Sequence, residues 1–139
     1  MVLAVNPPQR STTHTTVLVI DDDEEQLKCE ALKHSVHHYT VLEASKGQLG
    51  LDLCRSQRVD CVVLDLDMPE SGFYVLFDLF RDRTRPQVAV VILTHLLAPN
   101  LLEMAKHNGA QVCLVKQTTS VQDLENAIQN AVDTVRSRR

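Results

Sequence analysis

Five short, largely apolar runs alternate with segments of helical periodicity along the chain. The runs cover residues 17–20, 40–44, 61–64, 88–93 and 112–115. Apolar runs of this length, with few polar interruptions, are typical of strands that are buried on both faces. Amphipathic helices are predicted between and after them, at 24 to about 38, 47 to about 57, 72 to about 81, 101–107 and 120–136. This βα alternation predicts an α/β fold, a parallel sheet with helices on both faces.

Residues at the helix ends support two of these boundaries. Asn108-Gly109 is a suitable C-terminal cap for the fourth helix. Ser120 and Asp123 have the spacing of a capping box at the start of the last helix. The apolar stripe of that helix is Val121, Leu124, Ile128, Ala131, Val132 and Val135. In the second helix, Leu49, Leu53 and Cys54 are expected to share one side.

Length and composition narrow the class of protein. A chain of 139 residues forms one domain, and we expect residues 1–15 to be a flexible leader and 16–139 to be the domain. The net charge of −4 does not indicate a surface that would attract nucleic acid or an anionic membrane. No apolar stretch is long enough to span a bilayer, and no signal peptide is evident. The four cysteines share no motif spacing, which predicts reduced, buried thiols in a cytoplasmic protein.

Polar side chains follow four of the predicted strands at the point where each strand ends. These positions are Asp21-Asp22-Asp23, Asp65-Leu66-Asp67, Thr94-His95 and Lys116-Gln117. The carboxyl ends of parallel strands meet at one edge of the sheet, where ligands of such folds bind. Carboxylates that converge there repel one another unless a cation lies between them. Carboxylates, a hydroxyl and an amine at one edge predict a Mg²⁺-dependent phosphoryl-transfer site, because a carboxylate can itself attack phosphorus.

These motifs together resemble the receiver domain of two-component response regulators, over about residues 16–135. The similarity rests on residues 17–22, on Leu64-Asp65-Leu66-Asp67-Met68-Pro69 followed by Gly72, on Ile92-Leu93-Thr94, on Asn108-Gly109-Ala110 and on Val115-Lys116. Each motif is weak alone, but all of them occur in order and near strand or helix ends. The resemblance implies a flavodoxin-like (βα)5 doubly wound sheet with strand order 2-1-3-4-5.

The resemblance also implies a role for each site residue. Asp65 would be the phosphoacceptor, and Asp21 and Asp22 would bind Mg²⁺ together with Asp65 and the backbone carbonyl of Asp67. Thr94 and Lys116 would bind the phosphoryl group and report its presence.

The implied function is a phosphorylation-operated switch in a two-component phosphorelay, and not a turnover enzyme. The phosphoryl group would come from a histidine kinase or a histidine phosphotransfer protein. The message would leave through contact with a downstream protein, by way of the fourth helix, fifth strand and fifth helix. Monomer and homodimer both stay open, and neither a nucleic-acid nor a membrane contact is expected.

Four positions depart from the family pattern. Two residues, Glu70 and Ser71, separate Pro69 from Gly72 where the family commonly has three. His95 follows Thr94 where a small residue is usual, and it would narrow access to Asp65. Cys113 replaces the usual aromatic switch residue, and Gln117 replaces the usual proline, so no cis peptide is expected there.

Three other interpretations follow from particular residues. Asp65-Leu66-Asp67 after a strand also matches the nucleophile motif of haloacid-dehalogenase-like phosphatases, although the order of motifs is reversed. Cys113, His95 and the shortened loop between Pro69 and Gly72 motivate a phosphorylation-independent interaction module. His34, His37 and His38 would share a face if the first helix extends to residue 38. The simpler interpretation of this face is a solvated helix end, and the alternative is a metal site.

Overall fold

The structure is a computed structural model that describes residues 14–21, 26–67, 72–81, 88–95 and 99–137. The strands are β1 (Thr16–Ile20), β2 (Thr40–Ala44), β3 (Cys61–Asp65), β4 (Ala89–Thr94) and β5 (Val112–Val115). The helices are α1 (Gln26–Lys33), α2 (Gly47–Ser56), α3 (Gly72–Arg81), α4 (Pro99–His107) and α5 (Val121–Arg136). A 3₁₀ turn, Lys116–Thr118, joins β5 to α5.

The five strands form one parallel sheet in the order β2-β1-β3-β4-β5. This confirms the predicted α/β class and the strand order that the resemblance implied. In the register of the sheet, Ile20 pairs with Leu64, Asp65 with Leu93 and Thr94 with Val115. The strands therefore end almost level with one another, as a shared functional edge requires.

Alternate residues of the central strands enter two separate cores, one on each face of the sheet. Leu18, Val62 and Ile92 belong to the core that contains residues of α2, α3 and α4. Val19 and Val63 belong to the core that contains residues of α1 and α5. Because successive side chains of a strand point to opposite faces, burial of both faces explains why these runs are apolar throughout.

The predicted caps of α4 and α5 are both present. The Ser120 side chain accepts a hydrogen bond from the Asp123 amide, and the Asp123 carboxylate accepts one from the Ser120 amide. Gly109 has a φ of 100°, and hydrogen bonds from Gly109 N to Lys106 O and from Ala110 N to Ala105 O close the end of α4. This pattern is a Schellman motif, for which glycine is favoured.

The first helix ends earlier than its apolar pattern predicted, at Lys33 and not near residue 38. Ser35 terminates it, because its side chain and its carbonyl accept hydrogen bonds from the amides of His37 and His38. His38 has a φ of 56°, and the His37 ring stacks on Tyr39. The three histidines therefore share no helical face, and the described residues contain no group of three or more potential metal-binding side chains. The metal interpretation of the histidines is wrong.

Smaller differences concern α2 and α4. Leu49 is 47% exposed, while Gly50, Leu51 and Cys54 form the buried side of α2. At Gly50 the helix backbone packs directly against Ile20, since a Cβ there would lie 2.7 Å from Ile20 Cγ1. Helix α4 begins at Pro99, two residues before the predicted start, which fits the preference for proline in the first turn.

Three further expectations concern the cysteines, the predicted leader and membrane-spanning helices. All four cysteines are free and buried, as expected. Residues 1–13 of the predicted leader lie outside the described residues, whereas Thr15 is buried and its carbonyl accepts a hydrogen bond from the Thr40 amide. No helix in the described part of the chain combines the length and apolarity needed to cross a bilayer.

Asp60, at the opposite end of the sheet from the predicted site, joins β1, β3 and α5. Its Oδ2 accepts a 2.8 Å hydrogen bond from the Thr16 amide. Its Oδ1 lies 3.6 Å from Arg136 Nη2 and 3.7 Å from Arg58 Nε. The Arg136 Nη2 atom is buried and makes no hydrogen bond among the described residues, so the Asp60 carboxylate acts on it as a nearby opposite charge. Asp60 therefore accepts a hydrogen bond from a strand amide and also places its negative charge close to two guanidinium groups.

We expect Asp60→Ala to lower the free energy of unfolding by about 2–4 kcal/mol, because the Thr16 amide loses its acceptor and the partly buried Arg136 loses its nearby opposite charge. Urea denaturation measures the change. Asp52→Ala is the matched control, since Asp52 is an exposed acid on α2, and we expect it to stay within about 0.5 kcal/mol of the original chain. Equal effects of the two substitutions would contradict the role given to Asp60.

Candidate functional site

The carboxyl ends of the strands place four of the predicted site residues at one edge of the sheet. Asp21 directly follows β1, Asp65 ends β3, Thr94 ends β4 and Lys116 directly follows β5. Their side chains are almost completely buried, with exposed fractions of 6% for Asp21, 1% for Asp65 and 4% for Lys116. The edge is therefore a set of polar groups inside the protein, each of which needs a partner.

Lys116 connects the two buried carboxylates. Its Nζ lies 3.2 Å from Asp65 Oδ2 and 3.4 Å from Asp21 Oδ2. One ammonium cannot balance two carboxylates, so these three side chains carry a net charge of −1 when all are ionised. The arrangement lowers the repulsion between the acids and leaves a site that attracts a further cation.

Asp65 is held through both of its carboxylate oxygens. Oδ2 faces Lys116, and Oδ1 accepts a 2.8 Å hydrogen bond from the Asp67 amide. The turn that follows β3 is itself fixed by the bond from Leu66 N to Leu93 O, 3.0 Å. A carboxylate held this way is oriented by the backbone, which is a useful property for a nucleophile.

The Asp67 side chain turns toward β4. Its Oδ1 accepts a 2.9 Å hydrogen bond from Thr94 Oγ1, and its Oδ2 accepts one of 2.7 Å from the His95 amide. The His95 ring nitrogen Nδ1 lies 2.6 Å from the same Oδ2, a contact that requires the proton on Nδ1. Partial burial alone would raise the pKa of Asp67, but the bonds from His95 and Thr94 together lower it below its ordinary value. Both oxygens of the Asp67 carboxylate therefore have hydrogen-bond donors.

Two contacts at this edge were not foreseen from the sequence. One is the set of contacts that Thr94 and His95 make with the Asp67 carboxylate. The other is Lys28 of α1, whose Nζ donates a 3.0 Å hydrogen bond to the backbone carbonyl of Lys116. Lys28 thereby ties α1 to the turn that presents Lys116. No motif marks it, because the two residues lie 88 positions apart.

The remaining predicted features of the site are Asp22, the shortened loop, Cys113 and Gln117. Asp22 and the shortened loop at residues 68–71 lie outside the described residues. Cys113 is buried beside Ile92 in the sheet, and burial raises the pKa of its thiol, with Lys106 opposing the rise. Gln117 lies in the 3₁₀ turn, and no cis peptide bond occurs in the described part of the chain.

The donor atoms present suit a hard cation. Asp21 and Asp65 supply carboxylate oxygens whose charge Lys116 only partly balances. Mg²⁺ prefers such oxygen ligands and keeps several waters, so it needs few protein groups. Two convergent carboxylates with excess negative charge therefore fit Mg²⁺.

Comparison with known proteins places these features in a family. A family model described as the response regulator receiver domain matches residues 17–129. The transcriptional regulatory protein PdtaR of Mycobacterium tuberculosis is 34% identical over 95 residues, which are 68% of this chain and 44% of PdtaR. The chain thus matches less than half the length of this curated relative.

Solved structures show the same architecture. A CheY-like response regulator receiver domain protein from Methanospirillum hungatei JF-1 superposes with a TM-score of 0.78 at 19% identity, covering 91% of this chain and 100% of that one. A response regulator receiver domain protein from Clostridium thermocellum gives a TM-score of 0.74 at 29% identity, covering 90% and 99%. At 19% identity the first comparison establishes the fold alone.

We expect Lys116→Met to lower the free energy of unfolding by about 3–5 kcal/mol, because two buried carboxylates would face each other without a cation. Chemical denaturation measures the loss. Adding Asp65→Asn to Lys116→Met should recover part of it, since one of the two charges disappears. Lys106→Met, at an exposed position, is the control. No recovery in the double variant would contradict the charge argument.

The lowered pKa of Asp67 predicts an acid-dependent contribution to stability. A carboxyl group whose pKa is lower in the folded state stabilises the fold above its unfolded pKa, and this stability is lost as pH falls through the folded value. Asp67→Asn should therefore be less stable than the original chain near pH 7, and the gap should narrow below about pH 4. Thermal unfolding across this range measures it, and a gap independent of pH would contradict it.

Proposed function

Because the chain belongs to the response regulator receiver domain family, we propose that Asp65 accepts a phosphoryl group in a Mg²⁺-dependent reaction and thereby switches a partner-binding face. The observation that carries the proposal is the environment of Asp65. Its carboxylate ends the central strand β3, lies between Lys116 and the Asp67 amide, and shares that lysine with Asp21.

The chemistry is the transfer of a phosphoryl group from a phosphohistidine. A carboxylate oxygen of Asp65 forms a bond to phosphorus as the bond between phosphorus and the donor imidazole nitrogen breaks, and the electron pair stays on that nitrogen, which takes up a proton. Charge accumulates on the phosphoryl oxygens during transfer, and fixed positive groups stabilise it. Lys116 supplies such a charge next to Asp65. Lys28 acts as a positioning residue through its bond to the Lys116 carbonyl.

The residues that would hold Mg²⁺ are Asp21, Asp22, Asp65 and the backbone carbonyl of Asp67. When bound, the ion supplies positive charge that offsets the repulsion between these carboxylates and an incoming phosphoryl group. The support for this assignment is the excess negative charge of the Asp21–Lys116–Asp65 group and its all-oxygen donors.

Thr94 is the residue that would respond to the new group. It ends β4, the strand next to β3, and its hydroxyl would donate to a phosphoryl oxygen on Asp65. Its rearrangement would shift the population of the face formed by α4, β5 and α5, as in other two-state switches. The proposed partners are a histidine kinase or histidine phosphotransfer protein upstream and an unidentified protein downstream, in the cytoplasm. The chain would turn over no external substrate.

We expect acetyl phosphate and Mg²⁺ to add the mass of one phosphoryl group to the purified chain, because Asp65 is the oriented carboxylate of the site. Intact-protein mass spectrometry detects the adduct. Asp65→Asn should abolish it, and omission of Mg²⁺ should reduce it. Asp52→Asn, the same substitution at an exposed acid, should leave it unchanged.

The outcomes separate the competing functions. An adduct that survives in Asp65→Asn, or no adduct at all, would overturn the proposal. Partner binding that is unchanged by Asp65→Asn would point to the phosphorylation-independent interaction module. Steady hydrolysis of a generic phosphomonoester would point to the phosphatase.

A further inference from the structure

The Asp67 carboxylate is occupied by donors from the end of β4. It accepts hydrogen bonds from Thr94 Oγ1 at 2.9 Å and from the His95 amide at 2.7 Å, and the His95 ring nitrogen lies at 2.6 Å. Bonds to an ionised acceptor are stronger than bonds between neutral groups. The Asp67 carboxylate therefore connects the turn after β3 to the end of β4.

This arrangement conflicts with the role proposed for Thr94. A threonine hydroxyl has one hydrogen to donate, and here it is directed at Asp67. Thr94 cannot donate the same hydrogen to a phosphoryl oxygen on Asp65. Phosphorylation of Asp65 therefore has to replace one anionic acceptor of the Thr94 hydroxyl by another.

We propose that the Asp67 carboxylate is a latch, a competing acceptor that holds Thr94 in the unphosphorylated arrangement and sets how readily the switch responds. The proposal rests on the proposed phosphorylation of Asp65 and assigns to the Asp67 side chain a role separate from that of its backbone carbonyl. Asp67 is here a positioning residue that acts through Thr94.

His95 gives the Asp67 carboxylate a second set of contacts besides the Thr94 hydroxyl. Its amide and its ring both meet Asp67 Oδ2, so the carboxylate is anchored even when the Thr94 hydroxyl leaves. A small residue in place of His95 would keep the amide contact but lose the ring. The ring is half exposed, so its removal disturbs little of the core, and it tests the latch without disturbing Asp65 or Lys116.

The test measures how tightly the site takes up a phosphoryl analogue. Beryllium fluoride with Mg²⁺ is titrated into ¹⁵N-labelled protein, and the resonance of the backbone amide at position 95, which every variant keeps, is followed, because this chain has no tryptophan to report by fluorescence. We expect Asp67→Asn, which weakens the competing acceptor, to lower the half-saturating concentration about fivefold, the effect of roughly one hydrogen bond's strength. His95→Ala should lower it by a smaller factor.

A double-mutant cycle separates the latch from simple charge removal. Without the Thr94 hydroxyl there is nothing to release, so in a Thr94→Ala background Asp67→Asn should have at most half of its effect on a logarithmic scale. A larger remaining effect overturns the latch. Asp52→Asn, which removes the same charge from an exposed position, should change nothing.

The result for the original chain distinguishes failure of the latch from failure of the proposed function. If it takes up neither beryllium fluoride nor a phosphoryl group from acetyl phosphate, the proposed function fails and the latch with it. If it takes up both, and Asp67→Asn leaves half-saturation unchanged although circular dichroism shows it folded, the latch alone is overturned. Should Asp67→Asn not fold, His95→Ala decides by the same criterion.

Discussion

The contact of one buried ammonium with two buried carboxylates is the constraint on which the functional edge depends. Lys116 lies within 3.4 Å of both Asp21 and Asp65, and none of the three would be stable there alone, since an unpaired buried charge is costly. The three residues come from the ends of three different strands. The site therefore exists only when the whole sheet has formed in register, so its chemistry and the fold are specified together.

The register in turn follows from the two cores. Because side chains alternate between faces, a slip of one residue in β3 would move Val62 and Leu64 to the other face, and it would carry Asp65 away from Lys116. Uninterrupted burial on both faces resists such a slip in the central strands. The excess negative charge at this edge lowers the stability of the fold locally, and the apolar packing around it compensates for the loss. Such a compensated cost is expected where a site is kept for function rather than stability.

The sequence was sufficient for what depends on pattern and order. Strand and helix alternation placed Asp21, Asp65 and Lys116 at one edge, because parallel strands leave few topological choices. It was insufficient where a single local bond decides. Ser35 ended α1 against an apolar pattern that continued, which removed the histidine face. The long-range bond of Lys28 to the Lys116 carbonyl depends on side-chain placement that no spacing encodes.

The departures from the family pattern fit together once Asp67 is considered. At the position of the usual aromatic switch, β5 carries Cys113, a small side chain buried beside Ile92, which offers no ring to rotate. The residue after Thr94 is instead unusually large, and its amide and ring are both held by Asp67. His95 lies only four positions before α4 begins at Pro99. In the proposed switch, a change in what Asp67 holds would therefore act near the start of that helix in the sequence, on a route from the phosphoryl group to the partner-binding face that does not pass through β5.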